Sequence, residues 1–130
     1  MTGRFFWIVC SRPEESIKES LADFAVIGEG ELTFEALVGQ VKNKESHWNT
    51  INGLAYRDDN GEIHINAPRE LIKDLDMLPF PARDMVKNER YAPPPTKRVD
   101  LKANTILATS RGCPFNCGFC AARTIWTRKI

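Results

Sequence analysis

The feature that most constrains this chain is a loop near its C-terminus that holds three of its four cysteines. Cys113, Cys117 and Cys120 lie in the stretch Ser-Arg-Gly-Cys-Pro-Phe-Asn-Cys-Gly-Phe-Cys, where glycines and a proline keep the backbone tight and unhindered. This spacing lets three sulfurs converge and indicates an iron-sulfur cluster. A cubane cluster normally takes four thiolates, so a loop that offers three leaves one iron to another ligand. That iron is a potential substrate site.

Two other kinds of cysteine site fit parts of the loop. Structural zinc normally takes four ligands in two pairs, and His47, His64 and Cys10 lie far from the loop in sequence. Cys117 and Cys120 also form a CxxC pair, which is typical of a redox dithiol but leaves Cys113 without a role. A cluster is therefore favoured, with zinc and a dithiol as the alternatives.

Composition places the chain among ordinary soluble globular proteins. It has 130 residues, 42% of them hydrophobic and 27% charged, which is enough for one small domain or parts of two. A net charge of +1 predicts neither nucleic-acid nor membrane binding. Four basic residues near the cysteine loop are interpreted as a solvated or anion-facing surface: Arg111, Arg123, Arg128 and Lys129. Three cysteines in one loop fit metal ligation in a reducing cytoplasm, so we expect a cytoplasmic protein.

Strand and helix patterns alternate at the start of the chain. The apolar run at residues 5–9 is too short for a signal peptide or membrane span and predicts a buried strand. An amphipathic helix is predicted over residues 13–21, a second buried strand over residues 23–27, and a second helix over residues 31–41. This βαβα order predicts a parallel sheet of the α/β class. Two parallel strands alone do not make a stable covered sheet, so the pattern indicates part of a larger domain.

A glycine-rich turn joins the second strand to the second helix. Gly28 and Gly30 permit a positive φ or a close backbone approach, and Glu31 suits a helix N-terminus. Both glycines are weak candidates for cofactor contact, because ligands bind at such junctions. A simple tight turn explains the same residues, since the spacing of a phosphate-binding motif is absent.

A hairpin and a proline-rich connector follow. Asn60-Gly61 is a strong turn signal between predicted strands at residues 54–57 and 62–66, and His64 is placed on the polar face rather than as a ligand. Prolines at residues 79, 81 and 93–95 predict an extended connector. A buried strand predicted over residues 104–109 then leads into the cysteine loop, and residues 121–126 begin a helix or an extended exit. Parallel α/β folds place their active-site residues at the C-terminal ends of their strands.

The cysteine loop resembles that of the radical S-adenosylmethionine (radical SAM) superfamily, whose hallmark is CxxxCxxC with an aromatic residue before the last cysteine, here Phe119. The resemblance implies that Cys113, Cys117 and Cys120 ligate a 4Fe-4S cluster whose open iron chelates S-adenosylmethionine. One electron from a donor then cleaves S-adenosylmethionine to a 5′-deoxyadenosyl radical. It also implies that the backbone around Phe119 lies beside the adenine.

Two further segments are similar to the B12-type branch of this superfamily. Asp23–Glu31, followed by Thr33 and Leu37, resembles the end of its cobalamin-binding Rossmann-like domain, and residues 75–84 resemble the connector to its barrel. The resemblance implies a C-terminal part of a cobalamin-binding-like domain over residues 1–48, a hairpin and Pro-rich connector over 49–100, and the start of a radical SAM barrel over 101–130.

The departures from the family pattern are equally specific. His47 and His64 cannot supply the family's cobalt-ligating DxHxxG loop, which argues against cobalamin binding. The barrel needs further βα units after its first strand and cluster loop, so the expected fold is a partial Rossmann-like βαβα unit, a hairpin with its connector, and an incomplete barrel. An expressed segment of a longer protein, a gene fragment and a shortened paralogue all fit such a truncated chain.

Two classes of function follow. The first is a radical SAM enzyme piece that binds a 4Fe-4S cluster and S-adenosylmethionine and acts, with an electron donor, on a substrate that the sequence does not identify. The second is a non-enzymatic metal-binding or interaction module left by truncation. A relative that transfers methyl or methylthio groups to RNA shares the loop, but the near-neutral charge does not support it.

Overall fold

One mixed sheet organises the N-terminal part of the chain. The computed structural model describes residues 5–6, 12–20, 22–87, 90 and 110–120. Within them, the sheet has the strand order β1-β2-β3-β4. Its strands are β1 (Phe5–Phe6), β2 (Phe24–Val26), β3 (Leu54–Arg57) and β4 (Ile63–Ile65).

Strand direction changes across β2. β1 runs parallel to β2, with Phe5 opposite Phe24, as the βαβ alternation predicts. β3 pairs antiparallel with the other edge of β2, with Ala25 opposite Ala55, and β4 pairs antiparallel with β3. The predicted hairpin is thus confirmed, and it extends the same sheet as β2. The structure is α/β, and its largest continuous part is the antiparallel set β2-β3-β4.

The two helices differ in length and in how they end. α1 spans Pro13–Glu19, with Pro13 in its first turn, where a missing N–H costs nothing. α2 spans Glu31–Asn43 and is followed by Lys44, which has a left-handed φ of 59°. The Lys44 amide donates to the carbonyls of Gln40 and Val41 and so closes the last turn. Both helices lie where the sequence predicts them. Three short 3-10 turns follow: Trp48–Thr50, Leu75–Met77 and Arg83–Met85.

Alternate strand residues point to opposite sides of the sheet, and apolar side chains pack against both faces. On one face Ile17 of α1 packs against Ala25 and Ala55, with Ile27 and Ile63 at the margin. On the other face a larger cluster includes Leu37 of α2, and it consists of Phe24, Val26, Leu37, Ile51 and Leu54. Trp48 closes that cluster with its ring edge-on to Phe24, centroids 5.0 Å apart. These clusters form the core of the described residues.

The chain divides into two compact units. The first contains residues 1–72 and 112–130, and the second contains residues 73–111. In the second unit, Asp74 accepts a hydrogen bond from the Asp76 amide at 3.0 Å and so starts the turn at Leu75–Met77. No helix among the described residues is long and apolar enough to cross a membrane.

Several sequence predictions fall outside the described residues. They are the strand positions 7–9, the last residue of the helix predicted over 13–21, the polyproline segment 93–95, the strand at 104–109, the exit at 121–126, and the basic residues Arg123, Arg128 and Lys129. The division of the chain at residues 48 and 100 stays a prediction, and its first boundary falls between the pairing partners β2 and β3.

Candidate metal centre

The structure describes the cysteine loop from Ser110 to Cys120. Gly112, directly before the first cysteine, has a φ of 94°, a conformation in which a side chain is strained. The Cys120 amide donates to the Cys117 carbonyl at 3.3 Å, which closes a turn over Gly118 and Phe119. The described loop therefore has one hydrogen-bonded turn, between Cys117 and Cys120, and a glycine with a positive φ directly before Cys113.

The donor chemistry of the loop suits a soft, thiophilic metal group. The loop offers three cysteine side chains; Cys113 is partly buried, and Cys117 and Cys120 are exposed. The residues between them carry no charge. Thiolates are the ligands of iron-sulfur clusters, and exposed sulfurs can be reached without moving the rest of the fold. The three residues fit such a group by type and accessibility.

Two phenylalanines flank the sulfurs with most of their surface in water. Phe115 is 71% exposed and Phe119 is 95% exposed. Large apolar side chains next to a metal group limit the access of solvent to it, which affects its reduction potential. Phe119 is the aromatic residue that the sequence motif singles out.

One group of side chains outside the loop has the spacing of metal ligands. Among the residues that the structure describes, the ligand atoms of Asp58, Glu62 and His64 lie within 4.8 Å of one another.

The group at Asp58 is explained by the hairpin that contains it. Asp58 Oδ1 accepts from the amides of Asn60 at 2.9 Å and Glu62 at 2.8 Å, and Oδ2 lies 2.9 Å from His64 Nε2. The His64 ring also stacks on Tyr56, with centroids 5.1 Å apart. The hydrogen bond from His64 is the main cause that holds the pKa of Asp58 below its ordinary value, and the two amides add to it. His64 thus stabilises the turn between β3 and β4 through its contact with Asp58.

Gly28 and Gly30, the weaker candidates, lie in the β2–α2 turn. Gly28 has a φ of 76°, and a Cβ built on it meets nothing within 4 Å. Gly30 is buried and precedes α2. Between them, Glu29 Oε2 accepts a hydrogen bond from the Ile72 amide at 2.7 Å. The turn is thus engaged by a later segment of the same chain, and it lies on a separate segment from the cysteine loop.

One set of interacting side chains at this turn was not predicted. Thr33, fully buried in α2, donates to the Asn52 carbonyl at 2.9 Å and accepts from Arg69 Nε at 2.8 Å. Arg69 and Thr33 are 36 residues apart, and no local sequence pattern indicates their contact.

Comparisons with known proteins give several relatives over most of the chain. An uncharacterized methyltransferase of Pyrococcus horikoshii is 38% identical over 111 residues, which cover 85% of this chain and 22% of the relative. An anaerobic magnesium-protoporphyrin IX monomethyl ester cyclase of Synechocystis is 33% identical, over 85% of this chain and 21% of the relative. A cytidylyl-2-hydroxyethylphosphonate methyltransferase of Streptomyces wedmorensis is 28% identical, over 91% and 26%.

The chain spans between about a fifth and a quarter of the length of these curated relatives. No protein-family model matches it, and no solved structure matches it at a significant level.

Proposed function

Because this chain belongs to the radical SAM superfamily, to the type that carries a cobalamin-binding domain, we propose that Cys113, Cys117 and Cys120 ligate a 4Fe-4S cluster. The observation that carries the proposal is the set of three cysteines on one short, accessible loop, in a chain whose relatives include methyltransferases and a cyclase.

The number of thiolates in the loop supports a cluster over a single zinc ion. A structural zinc ion normally takes four protein ligands, and the loop supplies three. A three-thiolate cluster needs no fourth protein ligand if a small molecule takes the remaining iron.

The residues of the loop have distinct roles in this proposal. The cysteines would hold the group, and Gly112 supplies the positive φ directly before Cys113. Phe115 and Phe119 would limit the access of water to the bound group, and the backbone at Phe119 would lie beside the adenine of S-adenosylmethionine. A bound and reduced cluster would supply the electron for the reductive cleavage of S-adenosylmethionine.

The activity of a whole protein of this kind is also part of the proposal. We propose S-adenosylmethionine-dependent radical chemistry on a small-molecule substrate, with an external electron donor and in the cytoplasm. The relatives' names include both methyl transfer and cyclisation, so the family does not select one outcome. The proposal does not include cobalamin, because neither His47 nor His64 lies in a cobalt-ligating motif and His64 is bonded to Asp58.

A non-enzymatic metal-binding module is the second candidate. It needs only the three cysteines of the described loop, whereas cleavage of S-adenosylmethionine also needs residues that hold the nucleotide. Such a module binds the cluster but does not cleave S-adenosylmethionine.

Anaerobic reconstitution with iron and sulfide, followed by dithionite and S-adenosylmethionine, separates the two candidates. The enzyme proposal predicts 5′-deoxyadenosine, measured by mass spectrometry, and predicts none from Cys120→Ala protein treated in the same way. A bound cluster with no 5′-deoxyadenosine selects the module. Wild-type protein that takes up neither iron nor sulfide contradicts both.

A further inference from the structure

Residues 66–72 follow the hairpin and belong to the first unit, and hydrogen bonds join them to the rest of that unit at four places. We refer to them as the strap. At its start, Asn66 Nδ2 donates to the carbonyls of Trp48 at 2.7 Å and Ile51 at 2.8 Å. Next, the Ala67 carbonyl accepts from the Gly53 amide at 2.8 Å. The start of the strap is therefore held by backbone groups of residues 48–53, which directly precede β3.

The middle of the strap is fastened by Arg69. Its Nε donates to Thr33 Oγ1 at 2.8 Å and also to the Asn52 carbonyl at 3.3 Å. Thr33 is fully buried, and a Cβ at Gly53 would come within 2.9 Å of its hydroxyl oxygen and 3.3 Å of the Arg69 Cβ. This junction is closely packed, so breaking it exposes a buried hydroxyl and costs the fold more than one surface hydrogen bond.

The end of the strap is held differently. The Ile72 amide donates to Glu29 Oε2 at 2.7 Å, and Glu29 lies on the β2–α2 turn. Glu70, Leu71 and Lys73 around it are exposed. Ile72 is the last residue before the boundary to the second unit. A side-chain carboxylate thus fastens the strap immediately before that boundary.

We propose that the strap opens in two steps. In the first step the hydrogen bond between the Ile72 amide and Glu29 breaks, and residues 70–72 detach next to the unit boundary. The hydrogen bonds of Asn66, Ala67 and Arg69 and the strand pairing of the sheet persist in this step. Local opening of this kind is favoured in exposed segments, and Glu70 and Leu71 are exposed while Ile72 is half-buried.

Residue-resolved amide hydrogen exchange on the full chain tests the proposal. Glu29→Ala is expected to speed exchange at Ile72 about tenfold or more, the usual effect of losing a bond to a charged group, with no change at Gly53. Glu29→Gln keeps a carbonyl acceptor and is expected to give a smaller increase. Glu70→Ala removes a carboxylate from the strap itself and is the matched control, with Ile72 expected to exchange as in the wild type.

Arg69→Met is expected to speed exchange at the amides of both Gly53 and Ile72, because it removes the Arg69 hydrogen bonds to Thr33 and Asn52. In the wild-type protein, low urea concentrations are expected to raise the exchange rate of the Gly53 amide but not that of the Ile72 amide. The Ile72 amide exchanges through the local opening, which exposes little new surface to urea. This measurement needs no variant and decides the question if a variant fails to fold. The proposal is overturned if Gly53 and Ile72 respond to urea in parallel, or if Glu29→Ala leaves Ile72 unchanged or accelerates both amides equally.

Discussion

At the scale of single residues, two glycines with the same backbone conformation carry different constraints. Gly28 has a φ of 76° and Gly53 a φ of 77°. A Cβ at Gly28 meets nothing within 4 Å, whereas a Cβ at Gly53 would lie 2.9 Å from Thr33 Oγ1. The sequence draws attention to Gly28, but the structure places the stronger steric requirement at Gly53.

This difference predicts unequal effects of alanine at the two positions. Gly28→Ala is expected to lower the free energy of unfolding by about 1–2 kcal/mol, the cost of a left-handed backbone with a side chain. Gly53→Ala is expected to cost roughly 1–3 kcal/mol more, because the new methyl group overpacks the Thr33–Arg69 junction. Urea unfolding of both variants measures the difference. Equal losses would show that the junction yields without strain.

How well single residues can be predicted depends on whether their partners are near in sequence. Asp58, the hydrogen-bond partner of His64, lies only six residues before it. The alternation of β4 predicts a polar face for His64, but the structure pairs His64 with Tyr56, which packs against the larger core cluster. No sequence pattern indicates that Glu29 and Arg69 form these hydrogen bonds, since their partners, Ile72 and Thr33, lie 43 and 36 residues away. Contacts of this length depend on the tertiary fold, which a local pattern does not contain.

At the scale of elements, the hairpin between β3 and β4 is fixed by its turn. Gly61 has a φ of 86°, and Asp58 binds two amides of the turn and the His64 ring. The pKa of Asp58 is lowered, first by the His64 hydrogen bond, from an ordinary value near 3.8. The charged carboxylate is therefore the form that stabilises the folded hairpin.

The lowered pKa sets the direction of a pH effect. The stabilisation by Asp58 is fully present above its unfolded pKa and is lost as the pH falls through the lower pKa of the folded state. The difference in unfolding free energy between wild type and Asp58→Asn is expected to be largest above about pH 5 and to shrink below about pH 4. Urea midpoints at a series of pH values measure it.

Asp59→Asn is the control for this experiment, because it removes one negative charge from the exposed neighbouring position. Its difference from the wild type is expected to change less between pH 5 and about pH 3 than that of Asp58→Asn. A constant difference between Asp58→Asn and wild type over the whole range would rule out this role for the carboxylate.

The elements themselves follow from local sequence signals, but their assembly does not. Pro13, the Gly28–Gly30 turn and Asn60-Gly61 mark where elements begin or turn, and the structure has α1, α2 and the hairpin there. The pairing of β3 with β2 was not predicted. Strand alternation indicates that a strand has two faces, but it does not identify the neighbour at each edge.

At the scale of the whole molecule, the boundary between units is also a product of non-local contacts. The first unit includes the strap up to Ile72, because the strap bonds reach back to Trp48, Asn52 and Glu29. The family could be inferred from the cysteine loop and the Asp23–Glu31 segment, since both are short local motifs. A composition of near-neutral charge adds nothing to that inference.

The central claim is that three cysteines of one loop hold an iron-sulfur cluster, and metal and sulfide analysis of the anaerobically reconstituted chain tests it most directly. About four irons and four sulfides per chain are predicted for the wild type and for Cys10→Ala, which removes the one cysteine outside the loop. Cys117→Ala is predicted to lose both. One zinc per chain with no sulfide, or a cluster that persists in Cys117→Ala, would contradict the account.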